Sequence, residues 1–440
     1  MLSYLLSSGS NAHGQLSNGS LDDSHEFHPC LFYGCPPGEL PPQTRRVRHI
    51  ARGANHTLIL LETYDQSGGV HRELWGCGDG ESGQLGMAYQ GDLRARNTSI
   101  FSPIGLPLEQ EGLQHYQIKA LAASWETTYI ALSCADKEDA VISMGSDDFG
   151  DLGIGRSKKG KERQETPSFH VISFDDVKID GMSVDTKSIV ILSLAAGQHH
   201  VVVHLQATLN NGSSRRFTVG WGTSRHGQLG NEITQGGKMP PFVSIPQVVS
   251  SDDPGDPIIS TSLGSQHTIF LHASGRVTAL GSNRKGQLQG MESVKGGTKL
   301  GCTWNSTYVL VQSDDGNTRM DATRSHSNGQ LGRAFHDSSE FPSLAPVDFP
   351  FSLNSRRIID MACGSEHVLA LVSLDHESTE VWGWGWNEHG NLGTGLTENV
   401  DIPVRVWPRE PNTEASCQKA VGIWAGSGTS WIYITNDVKE

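Results

Sequence analysis

Three groupings of residues have types and spacings that could do chemistry. Gly78-x-Gly80-x-x-Gly83 has the spacing of a dinucleotide-binding turn, His28, Cys30 and Cys35 carry the donor atoms of a zinc site, and His200 and His204 share one face of a strand at period two. Each falls short in its surroundings. No helical stretch follows Gly83, so the N-terminal dipole that would hold a pyrophosphate is missing. Cys30 and Cys35 lie in a Pro-rich loop without a second ligand pair at zinc-finger spacing, and the two histidines read as packing. The chain contains no G-x-x-x-x-G-K-S/T, G-x-S-x-G or H-E-x-x-H. No catalytic residue, cofactor or metal is therefore expected, and the predicted role is non-enzymatic.

What would position any functional side chain is set by repetition. A glycine-flanked turn recurs seven times: GSNAHGQL from Gly9, GDGESGQLG from Gly78, GSDDFGDLG from Gly145, GTSRHGQLG from Gly222, GSNRKGQLQ from Gly281, RSHSNGQLG from Arg324 and GWNEHGNLG from Gly385. A second signature, a small-residue segment running into a β-rich stretch, also recurs seven times, as in ARGANHTLIL from Ala51 and SLGSQHTIFL from Ser262. The middle glycines of the turns, Gly14, Gly83, Gly150, Gly227, Gly286, Gly329 and Gly390, are 43 to 77 residues apart, which suits one four-stranded blade plus loops. Glycine, 51 of 440 residues, is far above the roughly 7% of ordinary chains, and helix-period apolar stripes are few. The reading is all-β: one seven-bladed β-propeller domain over residues 1–440. It outgrows the usual domain size because a propeller adds blades around an axis.

Within the turn, glycines permit positive φ, and Asn or Asp is expected to bond its own backbone two residues on. The Leu after Gln is expected to wedge between blades while the Gln amide satisfies turn backbone groups. The N-terminal SYLLSSGSN is a strand running into a turn, and the C-terminal TSWIYIT lacks a following strand; the first should complete the last blade beside the second. The interval from Gly286 to Ser306 is only 20 residues, so blade five is expected to have lost or distorted an outer strand.

The histidine of the second signature stands at His56, His200, His267 and His367 but is replaced by Thr127, Ser306 and Thr429. A hydroxyl keeps a hydrogen bond but not imidazole chemistry, so the position reads as structural. Two residues earlier, a mostly small-residue site carries Trp125 and Trp304. Alternate turns of an antiparallel meander share a face, which should gather Trp125, Glu126, Trp304, Asn305, Glu366, Trp386, Glu388 and His389 into an aromatic, acidic partner-binding rim.

The balance of 34 basic and 48 acidic residues, net −14, disfavours direct DNA or anionic-membrane binding, and the one basic run, RSKKGKER from Arg156, reads as a solvated loop. Seven scattered cysteines suit a reducing compartment, no run approaches 18 apolar residues, and MLSYLLSSGS lacks the features of a signal peptide. The cytoplasm, and with it the nucleus, is the expected location.

The G-S-N-x-x-G-Q-L-G and A-x-G-x-x-H-T signatures resemble the regulator-of-chromosome-condensation family of seven-bladed propellers. The departures GCGDGESGQL, ASWETTYI, CTWNSTYVL, CGSEH followed by VWGWGWNEHGN, and GTSWIYI resemble more narrowly the fungal alpha-tubulin-suppressor, or killer-toxin-insensitivity, propellers. That resemblance implies a non-catalytic adaptor paired with the small zinc-binding protein of diphthamide biosynthesis. Through that partner it would serve diphthamide formation on elongation factor two and Elongator-dependent modification of tRNA wobble uridines. The alternative within the wider family is a guanine-nucleotide exchange factor for a small GTPase.

Overall fold

The computed structural model describes residues 3–86, 97–155, 168–230, 238–313, 316, 318–323, 327–334, 344–353, 356–374, 378–409 and 418–436. The basic run from Arg156, Cys417 and the opening residues of the Arg324 turn lie outside the described residues. Seven antiparallel sheets follow one another along the chain. Their innermost strands are Thr44–Arg52, Gln117–Ala123, Met182–Ala196, Ile258–Leu263, Gly297–Cys302, Arg357–Cys363 and Gln418–Ala425, taken as blades one to seven. The second strands, such as His200–Leu209 and His367–Ser373, are β-branched and aliphatic runs buried on both faces, because each is covered by the neighbouring blades.

The ring closes as expected. Strand Ser3–Gly9 pairs with Thr429–Asn436 from Ser3↔Thr435 to Gly9↔Thr429, and strand Ser24–Pro29 adds outside it. The short interval did cost an outer strand, but the three-stranded sheet is blade four, Ile258–Leu263, His267–His272 and Val277–Gly281. After its turn the chain makes a one-turn 3-10 helix, Met291–Ser293, and passes straight to blade five, with Met291 and Val294 filling the core where a strand would lie.

One apolar cluster fills each of the seven junctions between blades. The turn leucines are part of them: Leu16, Leu85, Leu229, Leu331 and Leu392 each sit in a junction. The turns are built on two recurring bonds. The Gln carbonyl oxygen accepts the N–H two residues before it, as in His226 N to Gln228 Oε1 at 3.0 Å and Lys285 N to Gln287 Oε1 at 2.9 Å. Asp79 bonds two residues on as expected, accepting the Glu81 N–H at 2.9 Å, but in other turns the Asn or Asp instead accepts the N–H of the wedge leucine five residues on, at 2.9 Å for Asn11–Leu16 and 2.8 Å for Asn387–Leu392. The longer reach closes the whole turn and points the leucine into the junction.

The two signatures are halves of one clasp between blades. His267 Nε2 meets Thr307 Oγ1 of the next blade at 3.1 Å, and that hydroxyl donates to the Gln287 carbonyl of the first blade's own turn at 2.8 Å. His56 with Thr128 and Gln84, and His200 with Thr268 and Gln228, repeat the arrangement. Because the hydroxyl proton goes to the carbonyl, the oxygen accepts from Nε2–H, and because Nδ1 of each of these histidines is buried without a partner, a second proton there would be unpaired and the imidazole is neutral. Burial agrees: it pushes His56, His200 and His367 down to about 3 and His267 to about 4. In blades two and five, where the histidine is absent, the facing hydroxyl of the next blade is also absent, replaced by Val201 and Val368, whereas blade seven, with Thr429 in place of histidine, still faces Thr57, whose hydroxyl donates to the Gln15 carbonyl at 2.8 Å. After blades two and five, Tyr129 and Trp221 donate instead to the Asp151 carbonyl at 2.9 and 2.8 Å, and Tyr308 and Trp384 to the Gln330 carbonyl at 2.6 and 2.9 Å.

The glycine three residues before each histidine has the same cause. The Cε1–Nδ1 edge of the imidazole lies against it, so that a Cβ at Gly53, Gly197, Gly264 or Gly364 would overlap the ring of His56, His200, His267 or His367. Blades two and five carry Ser124 and Thr303 at this site and Thr127 and Ser306 in place of histidine. Gly264→Ala is therefore expected to destabilise the fold by about 1–3 kcal/mol through overpacking. Adding His267→Ser removes the clash with the ring and leaves the 2.8 Å approach to the Thr303 carbonyl oxygen, so the double variant should melt no lower than Gly264→Ala alone. Additive losses in thermal unfolding would show that glycine and imidazole do not compete for the space.

Candidate functional site

The loops that carry the predicted rim join the first and second strands of each blade, and the glycine turns join the third and fourth, so both emerge on one face. Side chains connect them across blades. Ser82 of a glycine turn donates to Glu126 Oε2 at 3.3 Å, and Gln330 of another donates to Glu366 Oε2 at 2.7 Å. The backbone ties neighbouring loops together around the axis: Ala54 N donates to Trp125 O, Trp125 N to Gln198 O, Ser265 N to Trp304 O, Trp304 N to Ser365 O and Ser365 N to Gly426 O, at 2.8–3.1 Å. Trp125 and Trp304 thus stand on a rigid collar.

The collar surrounds the mouth of a central channel of about 630 Å³ that runs between the inner strands. Blades two and five lie nearly opposite each other, and their indoles meet over it with ring centroids 6.0 Å apart. The remaining blades carry Ala54, Gln198, Ser265, Ser365 and Ser427 at this rank, which leaves room for two large rings to reach across. Trp125 continues onto His199 at 5.8 Å, and His199 onto Phe149 at 4.7 Å. Phe149, 41% exposed, and His199 extend the aromatic run and were not anticipated; the signal available was the first histidine of AAGQHHVVVH, which no other blade has beside its clasp histidine.

The eight predicted residues form three groups on this face. Trp125 and Trp304 roof the channel, with Glu126 beside them on Ser82. Asn305 donates to Glu366 Oε1, and Gln330 holds the other oxygen. Burial raises the Glu366 carboxyl above its ordinary range, while the two amide donors and nearby Lys285 offset part of that rise. The third group lies at the boundary of blades six and seven: Trp386 packs edge-on against His389 at 5.2 Å and donates to Glu388 at 3.2 Å, and His389 Nδ1 meets Asp23 Oδ2 at 2.6 Å. Glu388 is exposed, whereas Glu366 is buried.

The candidates for chemistry resolve differently. Gly78 and Gly83 have φ of 92° and 89° in a strand-to-strand turn that no helix follows, and a Cβ on Gly78 would run into the carbonyl of Asn55. Cys30 is buried in the core between blades seven and one, while Cys35 is half-buried. His204 bonds Asp252 Oδ2 at 3.0 Å and His200 is a clasp residue, so the two do not act together.

The regulator of chromosome condensation (RCC1) repeat model matches residues 325–371 and 379–431, and a second model of the same repeat matches 258–287 and 358–391. The bovine secretion-regulating guanine nucleotide exchange factor is 24% identical over 90% of this chain and 77% of its own length. Among solved structures, human WBSCR16 superposes with a TM-score of 0.65 at 18% identity, covering all of both chains. Prp20p from Saccharomyces cerevisiae superposes at 0.64 and 17% identity, covering all of this chain and 93% of that one. At such identity the two structures establish the fold alone. The bovine relative overturns one expectation: exchange factors accelerate nucleotide release catalytically, so the prediction of a non-enzymatic chain does not hold.

Proposed function

Proceeding from a seven-bladed propeller of regulator-of-chromosome-condensation repeats, we propose that this chain is a guanine-nucleotide exchange factor that receives a small GTPase on the indole-roofed face. The observation that carries this reading is the gathering of a rigid aromatic run and exposed carboxylate on one face of a chain similar, over nine-tenths of its length, to a protein named as such a factor. Exchange requires no bond making. It requires that the factor hold the nucleotide-free GTPase better than the loaded one, so that binding energy is released only as the nucleotide leaves. Indoles fixed on a backbone collar lose little side-chain freedom on docking, and buried tryptophans are the usual centres of binding energy. A carboxylate such as Glu388 offers a competing partner to the phosphate-binding lysine of a P-loop, whose charge is otherwise neutralised by the nucleotide.

The test is release of a fluorescent GDP analogue from a panel of purified small GTPases with catalytic amounts of the chain. Acceleration on at least one is expected, with a loss of about 30-fold for each of Trp125→Ala and Trp304→Ala, the equivalent of roughly 2 kcal/mol per indole. Melting should be unchanged in both. No acceleration on any GTPase would overturn the reading. The same rim supports a second reading, docking of the small zinc-binding diphthamide-biosynthesis protein, because its indoles and acidic groups suit a partner carrying a metal cation. Tagged purification with the two proteins co-expressed separates the readings.

A further inference from the structure

The end of the channel opposite the indoles is also built to a repeated plan. In all seven inner strands the pairing with the second strand skips one residue at the same rank, five positions before the clasp glycine or its equivalent: Val47↔Leu61 is followed by His49↔Leu60, and Ile258↔His272 by Ser260↔Leu271. The same skip occurs at residues 119, 192, 298, 359 and 421. A β-bulge turns one side chain out of the pleat, and such bulges are characteristically placed where a side chain must be re-aimed. Five residues of strand place this rank about 16 Å from the collar.

The re-aimed residues are apolar in four blades. Leu192, Ile259, Ile359 and Val421 are 40, 56, 41 and 43% exposed, although the strand positions around them are largely buried or half-buried. They come from blades three, four, six and seven, with Thr298 between them, so the arc spans five consecutive blades. The remaining two blades supply Arg48 and Lys119. Scattered single apolar residues on a surface need no explanation; four at one structural rank around one opening do.

The charge beside the arc is equally directional. Arg45, Arg46 and Arg48 all approach one carboxylate, Glu62, at 2.8, 3.2 and 3.8 Å, which leaves two positive charges in excess on a chain of net charge −14. The acids nearest the arc are already neutralised: Asp139 by Lys119 at 2.7 Å, Asp256 by Arg276 at 3.1 Å, and Asp360 by Lys299.

The geometry points to this mouth as a docking ring for a short partner polypeptide segment that presents aliphatic or aromatic side chains to the bulge residues and carboxylates to the arginine corner. It is a second surface, on the side of the ring away from the GTPase reading and independent of it. Apolar burial supplies the affinity, and the excess positive charge orients the segment and disfavours basic ones.

A random 14-residue peptide display library panned on the intact folded chain tests this directly, the probes being the enriched peptides made synthetically. Enriched sequences should combine Leu, Ile, Phe or Trp with Asp or Glu. Their affinity, read by fluorescence anisotropy, should weaken at least tenfold on Ile259→Glu with Ile359→Glu and at least fivefold on Arg48→Glu. Because all three sites are exposed, thermal unfolding should match the unmodified chain, and nucleotide release should be unaffected. Peptides without acidic residues, equal binding to the variants, or loss of binding on Trp125→Ala with Trp304→Ala would overturn the assignment. For a variant that fails to fold, protection of Leu192 and Val421 from carbene footprinting by the bound peptide in the unmodified chain gives the same decision.

Discussion

Removing residues 1–9 is expected to abolish the cooperative unfolding transition. Strand Ser3–Gly9 lies between Thr429–Asn436 and Ser24–Pro29 in its sheet, and its Leu5, Leu6, Ser7 and Ser8 are buried. Burial of the two leucines alone contributes about 2 kcal/mol each, and the truncation also strands Leu16 and exposes the edge of an inner sheet. The effect should reach beyond blade seven, because a ring whose last junction is open has lost the constraint that presses the other junctions together. A synthetic peptide spanning residues 1–9 should restore a cooperative melt when refolded with the truncated chain, since the closure is non-covalent. A truncated chain melting like the intact one would show that the blades are stable as an open arc.

The second large effect is expected on acidification. Each clasp histidine is neutral in the folded chain down to about pH 3 or 4, whereas in the unfolded chain it takes up a proton near 6.5. Between those values the unfolded state binds more protons, so stability is complete above about pH 6.5 and falls as the pH drops. At pH 5 the loss is about 2 kcal/mol for each of the four. Asp151 works in the opposite sense. Burial raises its carboxyl to about 7, so in the folded state it is already half-protonated at neutrality, and acidification from pH 7 to 5 returns roughly 2 kcal/mol. The net loss from these five groups, on the order of 5 kcal/mol, is comparable with the whole stability of many domains. Urea unfolding at pH 7 and pH 5 measures it; equal stabilities would mean that the clasps admit charged imidazoles.

The blade count, the closure and the structural role of the histidine were legible in the sequence because they follow from local repetition. What was not legible depended on register or on distances across the axis. The bulges cannot be seen in TRRVRHIAR or IISTSL, since a skipped partner is a property of two strands and not of one. The meeting of Trp125 and Trp304 required knowing that blades two and five face each other over a channel narrow enough for two indoles to touch. The missing strand of blade four was visible as a short interval, but a gap between two signatures does not say which sheet it shortens. The exclusion between Gly264-type glycines and Ser124 or Thr303, by contrast, was present in the seven copies and needed only the size of an imidazole to explain it.

Closure by chain ends also imposes an order on synthesis. Gly9 and its partner Thr429 are separated by 420 residues, so at 5–20 residues per second the first strand leaves the ribosome roughly 20–80 s before the strand that will cover it. During that time Leu5 and Leu6 and an unpaired backbone edge are available to any other nascent strand. The yield of active protein should therefore respond to translation speed more than that of a fold with local closure would.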